Sequence, residues 1–287
     1  MKVYLVDGTY ELFRYFYAPG QTGSKFGGTR GVLRSVLGMI EGGATHLGVA
    51  TDRVIESFRN DLYAGYKTGA GIDPALFAQF PVLEKALAAM GVRVWRMTKF
   101  EADDALAAAA KEAARYAEQV VICTPDKDLA QCVIGDKIVQ LDRRSGKITD
   151  EAGVIEKFGV RPESIPDYLA LVGDSADGFP GLPGFGAKSA GPLLFRWTHF
   201  ENIPQSCADW DVSLRGAGVL SATLRAHWKD ALLYRRLATL RTNATVRATP
   251  EALQWKGPRK SFAKVAAELG DAGLATKANE VAAKVLG

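Results

Sequence analysis

Four short apolar segments in the first half of the chain are predicted strands, and helix-like segments separate them. They are Lys2 to Val6, His46 to Ala50, Val92 to Arg96 and Gln119 to Cys123. Strands that alternate with helices connect through right-handed crossovers and form a mostly parallel sheet. The carboxyl ends of such strands share one edge, where open α/β sheets place their ligands. The sequence therefore predicts an α/β fold with one functional edge.

Acidic residues follow these strands closely. At the ends of the first, second and fourth strands they are Asp7, Asp52, Asp126 and Asp128. The third strand leads into an alanine-rich segment without Gly or Pro, which predicts a helix reaching about Ala114. Its first turn carries Glu101, Asp103 and Asp104, whose mutual repulsion the helix dipole offsets only in part. An acidic first turn alone is common, but acids converging from several strands favour a divalent-cation site.

Composition limits the classes of protein and of site. An apolar fraction of 47% and a charged fraction of 24% are ordinary for a globular protein. The net charge of +4 is mild, so any nucleic-acid surface must come from local clusters of basic residues. Three cysteines without a close-spaced pair argue against a zinc site or a disulfide framework. No run approaches the ~18 apolar residues of a membrane span. We expect a cytoplasmic, nucleoid-associated protein without a membrane partner.

Helices replace strands from about Val154, which predicts an α/β domain over 1–153 and a helical region over 154–287. A helix over Pro162 to Val172 ends at a glycine and acid-rich turn that adds Asp174 and Asp177. The segment Phe179 to Ala190 then places Gly181, Gly184, Gly186 and Lys188 before and inside the next helix. Backbone N–H groups at such a helix start bind phosphate well. The spacing predicts a helix–hairpin–helix, with a plain glycine-rich connector as the alternative.

Two further segments are basic. Arg59, Tyr66 and Lys67 lie among aromatic residues and glycines, a composition suited to gripping a nucleic-acid strand but also found in solvated loops. A helix predicted from about Val219 carries a row of basic residues that could form a binding face or an ordinary solvated face. These residues are Arg225, Lys229, Arg235, Arg236 and Arg241.

Together these motifs resemble the 5′-nuclease superfamily, which comprises the 5′→3′ exonuclease domain of bacterial DNA polymerase I, phage 5′-exonucleases and flap endonucleases. The resemblance covers about Met1 to Trp197. Its motifs, in the family's order, are Val6-Asp7-Gly8 with Arg14, Asp52 with Phe58-Arg59 and Tyr66-Lys67, Glu101-Ala102-Asp103-Asp104, Thr124 to Asp128, and Gly173-Asp174 through Ala190.

The resemblance implies a PIN-like, mostly parallel sheet followed by a helical region with the helix–hairpin–helix. It also implies a metal-dependent 5′→3′ exonuclease and flap endonuclease of DNA replication and repair, using two Mg²⁺ ions about 3.5–4 Å apart, with Mn²⁺ as a substitute. The implied metal carboxylates are Asp7, Asp52, Glu101, Asp103, Asp104, Asp126, Asp128, Asp174 and Asp177. The implied main-chain ligands of a K⁺ ion in the helix–hairpin–helix are Leu171, Val172, Pro180, Leu182 and Phe185.

Further roles follow from the same resemblance. Lys67 and Arg14 would offset charge on the scissile phosphate, with Asp7 and Asp104 as catalytic carboxylates. We expect Asp104→Ala to abolish cleavage and leave the fold intact, and a β-branched residue at Gly184 to weaken duplex binding. The substrate would be DNA with a 5′ flap, an overhang or a single-strand/double-strand junction, bound by a monomer. The implied DNA-binding residues are Arg59, Tyr66, Lys67, Gly181, Gly184, Gly186 and Lys188.

The chain departs from the family at two places. The family continues Tyr-Lys with a second base three residues later, where this chain has Ala70, so that cation is either missing or supplied by Lys25 or Arg30. The family's Ser-Asp-Asn is Ala176-Asp177-Gly178 here. Since no polymerase domain follows, we expect a free-standing nuclease.

Other functions stay open at this point. A non-catalytic protein that binds DNA structures would keep the fold without the second cation. A PIN-like ribonuclease uses a similar acidic edge but is normally shorter and lacks the helix–hairpin–helix. A phosphatase fits poorly, because no phosphate-binding nucleophile motif accompanies Asp7.

Overall fold

The computed structural model describes residues 1–19 and 24–287, which form two compact units. Unit 1 contains residues 1–55, 69–124 and 241–287, and unit 2 contains residues 56–68 and 125–240. Because each unit is assembled from non-consecutive segments, packing divides the chain differently from the predicted boundary after residue 153. Residues 20–23 of a glycine-rich loop expected over Gly20 to Gly28 lie outside the described residues.

Unit 1 is built on parallel strands. They are β1 (Lys2–Asp7), β2 (His46–Asp52), β3 (Arg93–Met97) and β4 (Gln119–Cys123). Among the described residues of unit 1 they pair in the order β3-β2-β1-β4. Leu5, Val49 and Ile122 in the central strands are completely buried. Apolar runs of this kind are typical of parallel strands covered by helices on both faces. The predicted mostly parallel sheet is confirmed.

The helices of the described chain agree with most of the predicted positions. In chain order they are α1 (Gly8–Phe16), α2 (Gly27–Glu41), α3 (Phe58–Leu62), α4 (Pro74–Phe77), α5 (Gln79–Ala89), α6 (Ala102–Ala113), α7 (Glu151–Phe158), α8 (Ile165–Val172), α9 (Ala187–Trp197), α10 (Ala217–Ala226), α11 (Trp228–Ala238), α12 (Pro250–Leu253), α13 (Phe262–Glu268) and α14 (Gly273–Leu286). The predicted glycine-rich loop ends earlier than expected, because Gly27 and Gly28 already belong to α2. None of the described helices is both long and apolar enough to cross a bilayer.

The third segment of unit 1 packs onto its sheet and helices. Trp255 is buried, with its backbone N–H donating to the Thr45 carbonyl at 2.8 Å and its indole Nε1 donating to the Met90 carbonyl at 2.9 Å. The Tyr116 hydroxyl donates to the Ala248 carbonyl. Residues 241–287 are therefore an integral part of the unit that contains the parallel strands.

Unit 2 is mainly helical, with α8, α9 and α11 around a core that includes Phe179, Leu193 and Leu237. It also contains an antiparallel hairpin of β5 (Ile138–Asp142) and β6 (Lys147–Thr149), where no strand was predicted. The turn of this hairpin is stabilised by the Asp142 carboxylate, which accepts from the Arg144 N–H at 2.9 Å.

Two predicted helices are interrupted. The basic helix expected from about Val219 is two helices, α10 and α11, which meet at His227. Arg241 lies beyond the end of α11, so the expected continuous row of five basic residues is wrong. The helix expected over Asp73 to Met90 divides into α4 and α5 at Ala78.

Candidate metal centre and nucleic-acid interface

Three buried carboxylates of unit 2 form a cluster that could hold a metal ion. Asp128, Asp174 and Asp177 each offer an oxygen, and these oxygens lie within 4.8 Å of one another. Asp128 opens a 3₁₀ segment (Asp128–Cys132), and the other two lie in the turn after α8. We call these three residues the unit 2 carboxylate cluster.

The state of Asp128 fits a bound cation. Its side chain is only 6% exposed, and its Oδ1 has no hydrogen-bond partner among the described residues. Burial raises the pKa of Asp128 well above its ordinary value, and the negative charges of Asp126, Asp177 and Asp174 raise it further, while Lys67 opposes them. A buried carboxylate oxygen without a donor, beside other carboxylates, is a suitable ligand for a hard divalent cation.

Two lysines neutralise part of the cluster's charge. Lys67 Nζ lies 2.9 Å from Asp177 Oδ1, and Lys127 Nζ lies 2.7 Å from Asp174 Oδ2. Burial lowers the pKa of Lys127, but its hydrogen bond to Asp174 and the nearby acids outweigh burial, so the pKa is raised. Sequence reasoning assigned no role to Lys127, although its position between two predicted ligands was a visible signal.

The segment carrying Lys67 is held against the turn that carries Asp177. The Tyr66 hydroxyl donates to Asp177 Oδ2 at 3.0 Å, and the Lys67 N–H donates to the Asp177 carbonyl at 3.0 Å. Gly178 has φ +86°, and a Cβ there would lie 2.2 Å from the Gly65 carbonyl oxygen. This close approach requires glycine at the position where the family has Asn.

In unit 1, the predicted acids lie at the carboxyl edge of the sheet. Asp7 caps α1 by accepting from the Tyr10 N–H at 2.8 Å, and its Oδ2 accepts from the Thr124 hydroxyl at 3.0 Å. Asp52 Oδ1 accepts from the Ala102 N–H at 2.7 Å, which fixes the start of α6 to the end of β2. Glu101 is buried and Asp103 is half-buried in that turn. The structure thus brings Asp7, Asp52 and the acidic turn to one edge.

Asp104 has a structural role that the sequence did not reveal. It is completely buried, and its Oδ2 accepts from the Glu101 N–H at 3.0 Å. Its Oδ1 accepts from the Arg241 N–H at 2.7 Å. Both carboxylate oxygens therefore accept from backbone donors. This structural role replaces the expectation that Asp104→Ala leaves stability unchanged by an expected loss of stability.

We expect Asp104→Ala to destabilise the protein, because it removes the acceptor of two backbone N–H groups. The cost is about 1–3 kcal/mol for the buried Glu101 N–H and less for the partly buried Arg241 N–H. Chemical denaturation of Asp104→Ala and Asp103→Ala without divalent metal checks this. The half-buried Asp103 is the matched control. Equal stability of the two variants would contradict the structural role of Asp104.

Two predicted DNA-binding side chains are unavailable to a ligand. Arg59 is 1% exposed, and its Nε donates to the Leu237 carbonyl at 2.7 Å, at the end of α11. Tyr66 is 2% exposed, with its hydroxyl bound to Asp177. Arg59 and Tyr66 therefore stabilise unit 2 from inside, which corrects their predicted contact with DNA.

The candidate cations outside unit 2 have internal contacts. Arg14 Nη2 lies 2.8 Å from Oε2 of the completely buried Glu11. Arg30 Nη1 donates to the Leu269 carbonyl at 2.7 Å, so Arg30 is anchored inside unit 1. Lys25 is exposed, with its Nζ 5.2 Å from the centre of the Phe26 ring. Of the two proposed substitutes for the missing base, Lys25 is therefore the more accessible.

The glycines of the predicted helix–hairpin–helix differ in role. Gly181 is buried with φ +73°, and a Cβ would lie 2.4 Å from the Gly173 nitrogen, so Gly181 packs the hairpin and does not face a ligand. Gly184 is exposed, with φ +79°. Gly186 precedes α9, whose first two residues, Ala187 and Lys188, are exposed. The start of α9 is thus the accessible part of the hairpin.

The carbonyls predicted to bind K⁺ lie in the same hairpin. The Leu171 carbonyl accepts from the Leu182 N–H at 2.9 Å, and the Leu182 carbonyl accepts from the Phe185 N–H at 3.1 Å. A carbonyl oxygen has two lone pairs, so these bonds leave one for an ion. The nearby cavity of about 400 Å³ is lined by Val172, Gly173, Asp174, Ser175, Gly178, Phe179 and Pro180.

Gly186 is a better test of DNA binding than Gly184, whose positive φ strains any other residue. At Gly186, φ is −159° and a Cβ would meet no atom within 4 Å. We expect Gly186→Thr to weaken duplex binding several-fold at unchanged stability, because Thr is a good N-cap and its branch covers the N–H groups that start α9. Fluorescence anisotropy with a DNA duplex and a thermal melt measure the two effects. Unchanged affinity would show that this helix start does not contact DNA.

Family models match most of the chain. A model described as 5′-3′ exonuclease, N-terminal resolvase-like domain, matches residues 2–159, and one described as 5′-3′ exonuclease, C-terminal SAM fold, matches residues 160–261. The 5′-3′ exonuclease of Aquifex aeolicus is 32% identical over 89% of this chain and 87% of its own length. DNA polymerase I of Pseudomonas aeruginosa is 35% identical over 83% of this chain. That match spans only 27% of the polymerase.

Solved structures show the same fold at low sequence identity. T5 5′-exonuclease with bound zinc ions has a TM-score of 0.69 at 17% identity, covering 98% of both chains. The catalytic core of Rad2 in complex with DNA substrate has a TM-score of 0.65 at 14% identity, covering 98% of this chain and 90% of that one. By its two family models and its relatives, the chain belongs to the 5′-3′ exonuclease family.

Proposed function

We propose that this protein is a divalent-metal-dependent 5′→3′ exonuclease and flap endonuclease that hydrolyses DNA near 5′ ends and single-strand/double-strand junctions. The observation that carries the proposal is the unit 2 carboxylate cluster, with its buried, unpartnered Asp128 oxygen, in a chain of this family. A relative is named 5′-3′ exonuclease, and a T5 flap endonuclease structure with DNA and metal ions shares the fold.

Mg²⁺ is the proposed ion, held in unit 2 by Asp128, Asp174 and Asp177 and in unit 1 by the edge acids Asp7, Asp52, Glu101 and Asp103. When bound, Mg²⁺ lowers the pKa of a coordinated water and stabilises charge on the leaving oxygen. The carboxylates would hold the ions in place, and Lys67 would donate to the scissile phosphate as negative charge develops there.

DNA is proposed to bind through backbone contacts. The start of α9 and Lys188 would receive duplex phosphates, which supports binding without sequence preference. A K⁺ ion held by the Leu171, Val172, Pro180, Leu182 and Phe185 carbonyls would fix the hairpin that presents α9. We propose that the protein acts as a monomer in DNA replication and repair.

A cleavage assay on a 5′-labelled flap duplex tests the proposal. We expect short 5′ products with Mg²⁺ and none with a chelator. A matched substrate with an RNA 5′ strand distinguishes a ribonuclease, which would cleave only that strand. Tight binding of the flap without cleavage at saturating Mg²⁺ would instead identify a non-catalytic DNA-structure-binding protein and overturn the proposal.

The role of Lys67 is testable because Ala70 leaves it without the family's second base. We expect Lys67→Ala to lower turnover by about 10²–10³, the effect of removing one transition-state donor. Ala70→Arg should raise turnover or partly restore Lys67→Ala, since a guanidinium can donate twice to a phosphate. Single-turnover kinetics of the two single variants and the double variant measure this. Near-normal turnover by Lys67→Ala would mean that another base holds the phosphate.

A further inference from the structure

Unit 1 contains a basic cavity that none of the predicted roles uses. The cavity has a volume of about 350 Å³, and four places in the fold contribute its charged lining. Its cationic residues are Arg53, Lys85, Arg96 and Arg259. Arg53 follows β2, Lys85 lies on α5, Arg96 lies on β3, and Arg259 precedes α13. We call these four residues the basic cavity.

Two of these four cations neutralise a buried carboxylate. Arg53 Nη2 lies 2.9 Å and Arg96 Nε 3.6 Å from Oε2 of the completely buried Glu84. Burial raises the pKa of Glu84, while the Thr51 hydroxyl and the two arginines oppose that effect. Arg53 and Arg96 are therefore needed in part to neutralise a buried carboxylate.

The remaining charge exceeds what the fold requires. Lys85 is 63% exposed and pairs with the half-exposed Glu268 at 2.9 Å, an ion pair that contributes little to stability. Arg259 is exposed, and its guanidinium has no hydrogen-bond or ion-pair partner in the described part of the chain. With Glu84 and Glu268 both ionised, four cations face two anions, which leaves a net charge of +2 around the cavity.

The position of the cavity relates it to the acidic edge. Arg53 directly follows Asp52, and in the sheet Thr51 pairs with Arg96 and Asp52 with Met97. Asp52 contacts the start of α6, whereas Arg53 contacts Glu84 on α5. Arg53 and Arg96 therefore lie near the carboxyl ends of β2 and β3, as Asp52 does, whereas Ala88 and Ala89 of the cavity lie at the end of α5 that precedes β3.

We propose that the basic cavity binds a phosphate group of a nucleic-acid strand. Guanidinium groups match phosphate oxygens with two parallel donors, and three of the four cations are arginines. The remaining lining, Pro81, Ala88, Ala89, Ser261 and Val265, offers few groups to read a base, so the contact is independent of sequence. Nucleic acid as the source of the phosphate rests on the proposed function, whereas the anion site rests on the charges of unit 1.

The test removes the two cations that do not contact Glu84. We compare K85Q/R259Q with wild type by anisotropy on a labelled oligonucleotide in a chelator, over a range of salt concentrations. We expect a 3–10-fold loss of affinity at low salt. On duplex DNA, the slope of log K against log salt should fall by about 0.9 for each phosphate that the variant no longer neutralises. R259Q alone should show a smaller loss in the same direction.

The control is R34Q/K277Q, which removes the same charges from another surface of unit 1, where Arg34 pairs with Asp271 and Lys277 with Glu41. Thermal melts verify that all variants are folded. An unchanged salt slope in K85Q/R259Q, or an equal loss in both double variants, would overturn the basic cavity as a phosphate site.

One comparison distinguishes free phosphate from nucleic acid as the source of the anion. A second comparison distinguishes the basic cavity from the proposed nuclease function. If inorganic phosphate at millimolar concentration stabilises wild type but not K85Q/R259Q, and the oligonucleotide affinities are equal, the site takes free phosphate and the nucleic-acid assignment is wrong. Equal losses for 5′-phosphorylated and 5′-hydroxyl oligonucleotides support an internal phosphodiester.

Absence of Mg²⁺-dependent cleavage together with a specific loss of affinity would refute the proposed nuclease alone. Normal cleavage with unchanged affinity would refute the basic cavity alone.

Discussion

Asp128→Asn is expected to abolish Mg²⁺-dependent cleavage and to raise the melting temperature in a chelator. The physical reason is that Asp128 is a buried carboxylate among three acids, with an oxygen that no described residue satisfies. Asparagine removes the buried charge and can donate to a neighbouring carboxylate. In Mg²⁺ the order of stability should reverse, because only wild type gains free energy from binding an ion at the unit 2 carboxylate cluster.

The raised pKa of Asp128 predicts how the melting temperature changes with pH. The folded-state pKa of Asp128 is raised, so its contribution to stability is fully present below the ordinary value of 3.8. That contribution is lost as the pH rises through the folded-state pKa. The advantage of Asp128→Asn in a chelator should therefore grow with pH above 3.8 and then level off. Mg²⁺ should stabilise wild type less at acidic pH, because it must displace a proton.

Thermal melts with chelator and with Mg²⁺, from pH 4 to pH 8, measure both effects. Asp209→Asn changes an exposed carboxylate of the same unit and is the matched control. If Asp128→Asn responds to Mg²⁺ as wild type does, the unit 2 carboxylate cluster does not hold the ion.

Gly181→Ala should strongly destabilise unit 2. With φ +73°, a side chain costs about 1–2 kcal/mol from the left-handed conformation alone. The added Cβ would also lie 2.4 Å from the Gly173 nitrogen and 2.6 Å from the Leu171 carbonyl oxygen, so backbone atoms must move. Overpacking of this kind costs about 1–3 kcal/mol more, which gives an expected loss of about 2–5 kcal/mol.

Urea denaturation of Gly181→Ala and Gly186→Ala measures this loss. Gly186 lies in the same hairpin but has extended backbone and open space, so alanine there should cost only about 1 kcal/mol or less, the loss from replacing glycine by alanine at an N-cap. Similar midpoints for the two variants would show that the hairpin can move apart at Gly181 without penalty.

The alternation of strands and helices was predictable because a parallel sheet buries both faces of its strands. That burial produces apolar runs such as Gln119–Cys123, whose predicted and observed bounds agree. In the β5–β6 hairpin that was missed, β6 has only three residues, of which two are exposed, whereas β5 carries an apolar signal in Ile138, Val139 and Leu141. A second signal was the turn chemistry of Asp142, Ser145 and Gly146.

The site was predictable in residue type but not in role. Asp104 and Asp128 are both acidic residues that follow predicted strands. A backbone N–H 137 residues away donates to Oδ1 of Asp104. In contrast, Oδ1 of Asp128 has no hydrogen-bond partner in the described chain. Arg59 likewise lies in a basic, aromatic segment, and only its contact with a carbonyl 178 residues away shows that it is internal. Long-range partners decide such roles, and spacing along the sequence does not contain them.

The composition of unit 1 has a consequence for biosynthesis. Its strands come from residues 1–124, but Trp255 and Ala248 make hydrogen bonds that complete it. A chain emerging from the ribosome can begin the parallel sheet early, yet it cannot close the unit until residues 241–287 are also free. Until then the nascent sheet keeps an uncovered apolar surface, which is the kind of surface that chaperones bind. The segment that emerges later thus determines when the part made earlier becomes native.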